Sequence, residues 1–446
     1  MAAFIRVCFT SLIFFLPLLS CVLSKGHRAL EIHFNPNCTR HECDKGVNGS
    51  FANLVYVRAK GSSDYLHYMF STVGVPAVII ARTKPDPTIT LRVNWDKLLA
   101  KNGNISNALT LTGDPHKILN SFGTVFTKLL EYNDTDDTAD LSSYPLWNST
   151  DRNNRPFTEF KWNKVQKLNE TVIGFVFKST VWQNKTLTES EYSDEAKNRT
   201  ASLSFTFRLF VKDDRESQLP HLEFSENSTQ FDLTIDNMKP CCTRSRFALE
   251  VAMLTDPLDK AGFKMEETKS IDDEYSPGVF RMVSVRMSPS DQAKGGFLQW
   301  KPVCYQKHTR SRNVATSVKK YQLGDTHNVT ELLKESIAHA FYGSQLFLKG
   351  VERHALNISF GFANDGFYTK TNYSSWSATL GFGEPPADKI SLLVIGVISA
   401  GLGIPVILII FGGLFVFIRK QRSKQYKPLQ DVSSSYPAGA GKEEKR

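Results

Sequence analysis

Ile390–Ile418 is a run of 29 residues without one charged side chain. About 20 apolar residues, rising 1.5 Å each in a helix, cross the hydrocarbon of a bilayer. This run therefore predicts a transmembrane helix over 390–418, with some tilt, and disfavours a soluble core helix. Arg419, Lys420, Arg422 and Lys424 follow it, so the positive-inside rule assigns 419–446 to a cytoplasmic tail. Pro405 predicts a kink within the span.

The other end reads as a secretory signal, residues 1–24. Arg6 supplies the positive flank, Val7 to Leu19 the apolar run, and Val22-Leu23-Ser24 the cleavage region. A signal plus one C-terminal span predicts a single-pass type I membrane protein with residues 25–389 in the secretory lumen. Charge agrees with this. The chain has a formal charge of +9, but residues 1–25 hold two Lys/Arg and no acidic residue, and residues 390–446 hold eight Lys/Arg against three Asp/Glu. The long middle part is nearly neutral, which argues against a nucleic-acid partner.

That middle part is dense in Asn-x-Ser/Thr. The motif occurs at Asn37, Asn48, Asn104, Asn133, Asn148, Asn169, Asn184, Asn198, Asn227, Asn328, Asn357 and Asn372. All twelve fall between signal and span, the side that meets the glycosylation machinery. A coat of hydrated sugar shields backbone from proteases, which suits a protease-rich compartment. A generic cell-surface glycoprotein carries the same signal. Cysteine usage fits an oxidising lumen. Cys8 and Cys21 leave with the signal, and Cys38, Cys43, Cys241, Cys242 and Cys304 remain. Cys38 and Cys43 are close enough to close a small loop, and one of Cys241 and Cys242 is a candidate partner for Cys304. Five is odd, so at least one is free or pairs between chains. His33 and His41 with Cys38 and Cys43 sketch a zinc site, but the spacing is poor and the disulfide reading is preferred.

Period-2 alternation predicts a mainly β ectodomain. It runs through Ile89, Leu91, Val93 and Trp95; Leu203, Phe205, Phe207 and Leu209; Phe231, Leu233 and Ile235; Phe247, Leu249, Val251 and Met253; and Leu356, Ile358, Phe360 and Phe362. Helical spacing instead groups Val125, Phe126, Leu129 and Leu130, and also Leu332, Leu333, Ile337 and Phe341. The polar stretch 133–155 reads as a long surface loop. At this length two sandwich-like domains, 25–230 and 231–389, with a few short helices are expected.

The chain contains no G-x-S-x-G, H-E-x-x-H, P-loop or EF-hand pattern, so no cofactor, metal or catalytic residue is assigned. Asp272-Asp273-Glu274 offers oxygen ligands or paired carboxylates, but a solvated loop is the better reading. A lumenal hydrolase or ligand-binding receptor with an unrecognised site is the alternative to a binding protein.

Ser270-Ile-Asp-Asp-Glu-Tyr-Ser-Pro277 resembles the most recognisable block of the glycosylated lysosomal membrane protein family. Tyr65-Leu-His-Tyr68, Val93-Asn-Trp95, Phe126-Thr-Lys-Leu-Leu-Glu131, Gln299-Trp-Lys-Pro-Val303, Phe341-Tyr-Gly-Ser-Gln345 and Ser375-Trp-Ser377 resemble further blocks in the same order. The resemblance spans the ectodomain and the membrane helix, with departures in the cysteines and the tail. It implies a non-enzymatic lysosomal type I protein. Such a protein acts as accessory subunit to a lysosomal major-facilitator transporter of dipeptides, binding it through the lumenal domain and shielding it from proteases. The tail adds support. Tyr426-Lys-Pro-Leu429 fits the Tyr-x-x-bulky-apolar signal read by clathrin adaptors in extended form, and Pro428 favours extension of the residue before it. A four-residue pattern is common by chance, so its place just beyond the span carries the weight.

Overall fold

The computed structural model describes residues 27–425 except 101–102, 145–151, 169–172, 184, 192–198, 257–261, 270–280, 289–294, 324–326, 349 and 388–391. The expected signal, Asp272–Glu274, Tyr426 and Leu429 lie outside the described residues.

In chain order the main strands are β1 (Ala29–Phe34), β2 (Leu54–Lys60), β3 (Tyr65–Ser71) and β4 (Ala77–Thr83). Next come β5 (Ile118–Asn133), β6 (Ile173–Trp182), β7 (Ser202–Leu209) and β8 (Ser228–Asp236). They are followed by β9 (Ser245–Thr255), β10 (Gly262–Lys269), β11 (Arg281–Ser288) and β12 (Gly296–Trp300). The last are β13 (Val303–Tyr305), β14 (Ala315–Leu323), β15 (Glu352–Phe360) and β16 (Tyr373–Phe382). One antiparallel sheet runs β1-β2-β3-β4-β5-β9-β15-β14. The other runs β10-β11-β12-β16-β8-β7-β6. The short β13 pairs with β14 of the first sheet and β16 of the second, joining the two.

The sheets pack face to face through aromatic rings. Phe70 of β3 meets Phe175 and Phe207 with centroids 5.0 and 4.9 Å apart, and Phe126 of β5 meets Phe205 and Phe231 at 4.8 and 5.1 Å. Each such pair adds about 0.5–1.5 kcal/mol beyond the area it buries. The mainly β expectation is met, with a few short helices. The boundary expected near residue 230 falls inside β8, which is hydrogen-bonded along its length to β7 and β16. Both halves of the chain supply strands to both sheets.

Val125, Phe126, Leu129 and Leu130, expected on a helix, lie in the 16-residue strand β5. A bulge opposite Glu250–Val251 explains the helical spacing. The extra residue inverts the alternation, so Phe126 and Leu129 both enter the main core while Leu130 and Tyr132 pack on the outer side with Leu141, Tyr144 and Ala248. That outer packing also corrects the loop expected over 133–155, because Asp134, Ala139, Leu141 and Tyr144 are buried and 152–156 form a strand on β5. The second helical expectation is split into α1 (His327–Lys334) and α2 (Ile337–Tyr342), where Ser336 caps α2 by accepting from the Ala338 amide. Of the run from Ile89, only Leu91–Val93 is a strand; Trp95 opens a helical turn capped by Asn94. Phe362 lies past the end of β15 and is 52 % exposed.

The described residues of the compact β unit end at Ala387. Beyond it, α3 (Leu392–Gln425) contains Pro405, and its most apolar 18-residue window, within Gly396–Ser423, has a mean hydropathy of 2.6. It is long and apolar enough to cross a membrane.

Candidate functional site

Buried charges on these strands are closed upon one another. Arg246 of β9 is 2 % exposed and donates to Asp134 at 2.6 Å, Asp365 at 2.7 Å and Asp137 at 2.8 Å. Glu131 of β5 pairs with Arg155. Asp64 accepts from Arg28 and Arg82 at 2.5 and 2.6 Å, and Asp232 from Arg208 and Arg310 at 2.7 and 2.9 Å. Burial alone raises a carboxyl pKa. At Asp64 and Asp232 the flanking guanidiniums outweigh it and hold the pKa below the usual value. Those carboxylates stay ionised in acid and are fully paired, so they lock the sandwich rather than shuttle protons. Sequence reading missed these networks, although Glu131 and Glu250 inside apolar strands were a signal. His67 of β3 is wholly buried between the Tyr56 hydroxyl at 2.7 Å and the Thr83 hydroxyl at 3.1 Å. Burial pushes its pKa down to about 4, so it stays neutral in mildly acidic surroundings.

A different environment lies along β10. This strand pairs only with β11, so its second backbone edge is free among the described residues. Beside it an open groove of about 660 Å³ reaches to β14, lined among others by Glu267, Arg281, Lys320, Tyr321 and Phe362. Glu267 bridges the groove, accepting from Lys320 at 2.6 Å and Arg281 at 3.1 Å. Its hydrogen bond to Lys320 outweighs burial and lowers its pKa. Glu267 is the one carboxylate among the described lining residues, and it is committed to two cations. The groove offers shape, charge and a free strand edge, which suit binding.

The predicted modification sites are dispersed. Asn37, Asn48 and Asn104 are exposed, and Asn133 and Asn227 are half-buried. Asn328 lies in α1, and Asn148, Asn169, Asn184 and Asn198 fall outside the described residues. Two positions sit differently. Asn357 of β15 is 4 % exposed. Asn372 is wholly buried, with its side-chain oxygen accepting from Ser190 at 2.6 Å. A glycan on Asn372 would have to displace packed chain, a conflict that the local motif does not encode.

Cys38 and Cys43 are joined by a disulfide, with Cα atoms 6.5 Å apart, so the zinc sketch is superseded. Cys304 of β13 is a buried thiol bonded to no other cysteine. The expected link from Cys241 or Cys242 to Cys304 is therefore corrected: Cys304 is enclosed between β14 and β16, and its sulfur points to the Ser317 carbonyl.

Known proteins resemble the chain over most of its length. Residues 53–423 match the family model described as glycosylated lysosomal membrane protein. Glycosylated lysosomal membrane protein B of Xenopus laevis is 33 % identical over 416 residues, covering 90 % of this chain and 93 % of that protein. Its counterparts from Bos taurus and Homo sapiens are each 31 % identical, covering 84 % and 85 % of this chain and 87 % of each relative. Neither the β sandwich nor the apolar C-terminal helix is confined to a short match, and the chain belongs to the glycosylated lysosomal membrane protein family.

Proposed function

We propose that this chain is a non-enzymatic accessory subunit. Its lumenal sandwich binds a lysosomal major-facilitator transporter of dipeptides, protects it from proteolysis and supports its residence in the lysosome. The single observation that carries this reading is the place of β10. A strand with a free edge, whose Glu267 lines an open groove, lies within the longest interval without a glycosylation motif, between Asn227 and Asn328; 50–103 is the second such stretch. A stable interface buries roughly 800 Å² per partner, and a branched sugar in its middle would block it, so a partner surface must stay sugar-free. The charged residues of β10, Lys264, Glu266, Glu267 and Lys269, discourage indiscriminate edge pairing and leave the edge for a partner of matching pattern. The paired interior carboxylates support a fold that persists in acid. Tyr426 and Leu429 are the residues that a clathrin adaptor would read in the tail.

Affinity purification of the full-length glycoprotein from lysosomal membranes tests the reading. A polytopic major-facilitator transporter should co-purify and should turn over faster in cells lacking this chain. A preparation without such a transporter, together with an unchanged transporter lifetime, contradicts it. In cells lacking the partner, Tyr426→Ala should shift the protein to the cell surface; unchanged lysosomal residence would remove the sorting role.

A further inference from the structure

Cys241 and Cys242 are consecutive residues in the turn that leads from β8 into β9. Their sulfurs are not joined in the structure, yet they lie 2.7 Å apart. Carbon atoms in contact already keep about 3.5–4.0 Å, and sulfur is the larger atom. A covalent S–S bond is about 2.05 Å. The two sulfurs are thus nearer to bonding than to contact distance.

The turn is held in this shape by the core. The Cys241 amide donates to the wholly buried Glu131 at 2.6 Å, and the Ser245 hydroxyl donates to the same oxygen at 2.9 Å. The Cys242 amide donates to the Ser245 hydroxyl at 3.2 Å. Glu131 in turn is fixed by Arg155. Cys241 is exposed and Cys242 half-buried, so an oxidant has access. Competing partners are absent among the described cysteines, since Cys38 and Cys43 are bonded and Cys304 is 1 % exposed.

We propose that Cys241 and Cys242 are a vicinal disulfide in the mature protein. The oxidant is a disulfide of a secretory-pathway thiol–disulfide oxidoreductase. One cysteine sulfur attacks that disulfide, releasing one donor thiol and leaving a mixed disulfide. The neighbouring sulfur then attacks its partner and expels the second donor thiol. Two electrons and two protons pass to the donor, which ends as a dithiol. The product closes a small ring through the Cys241–Cys242 peptide bond and clamps the entry to β9. Although Cys241 is exposed as a residue, partial shielding of its sulfur from water and the Glu131 charge both disfavour a thiolate there, whereas a disulfide is uncharged and compatible with a buried carboxylate beside it. The odd cysteine among the described residues is then Cys304, shut in the core, and no exposed thiol remains among them for links between chains.

Alkylation of the full-length glycoprotein with iodoacetamide, followed by mass spectrometry of the peptide holding both residues, tests this. Under denaturing, non-reducing conditions the peptide should carry no alkyl group and be two hydrogens lighter than the dithiol. After reduction it should take two alkyl groups. Two alkyl groups without reduction, or a bond from either cysteine to Cys304 or to another chain, overturns the proposal. Cys242→Ser supplies an independent arm in the native protein. Cys241 should become alkylatable there while the parent chain stays unlabelled, and equal labelling of the two proteins would count against the ring.

Discussion

β9 and β10 follow one another in the chain and occupy opposite situations. All eleven residues of β9 are buried, and it is hydrogen-bonded to β5 on one side and β15 on the other. β10 pairs on one side only and every residue of it is exposed or half-buried. Both strands carry charge. On β9, Arg246 and Glu250 are neutralised inside, the second by Lys128 at 3.0 Å and the Thr127 hydroxyl at 2.7 Å. On β10 the charges face water and the groove. The difference separates what the molecule needs in order to fold from what it holds ready for something else.

The sharpest way to break the contrast is to remove Arg246. Three carboxylates would lose their shared cation, and unpairing a buried charge costs about 3–5 kcal/mol. Arg246→Met should therefore abolish most folded glycoprotein, read as loss of exit from the endoplasmic reticulum. Wild-type yield and melting temperature would mean that the network contributes little.

His67 gives the next effect. Its folded pKa is about 4, below the roughly 6.5 of an unfolded imidazole. Between these values the unfolded chain binds more protons, so stability falls as pH falls through that window and is fully present above it. The loss from this residue approaches about 3 kcal/mol at the acid end. Urea melts from neutral pH downward should show the slope, and His67→Gln should flatten it. Glu267 at the edge acts in the same direction in a more acidic window: its lowered pKa adds stability above the usual carboxylate value that is lost in stronger acid. With a third of its side chain exposed, solvent screening leaves that contribution small.

A third test compares glycine in the core with a residue on the edge. A Cβ at Gly296 of β12 would meet the Phe122 ring at 1.9 Å. Gly296→Ala should cost about 1–3 kcal/mol through overpacking, measured by thermal unfolding. Thr268→Asn on exposed β10 should stay within about 0.5 kcal/mol.

Much of this was legible in the sequence. Alternation located β7, β8, β9 and β15, because one face of each meets the aromatic core and register fixes every side chain. The uncharged run located α3. β5 misled because it is covered on both sides and its bulge at Thr127 mimics a helical repeat. The sheet partners were hidden for a different reason: alternation says that a strand has an inside, not which strand lies beside it, so β8 was split from β7 although the two pair residue by residue. Burial of Asn372 was equally invisible, since Asn-x-Ser/Thr is a local signal and its cover comes from Ser190, far away in the chain. The groove beside β10 arises only when β14 and β11 come together, and short polar strands gave no hint of it.

Thr268→Asn also completes Asn-Lys-Ser270 and places one glycan on the free edge. After its glycosylation and folding are verified, the variant is compared with the parent chain for recovery of the transporter from lysosomal membranes. Loss of co-purification with unchanged folding is the predicted result. Full recovery of the transporter, with its lifetime intact, would contradict a partner surface along β10.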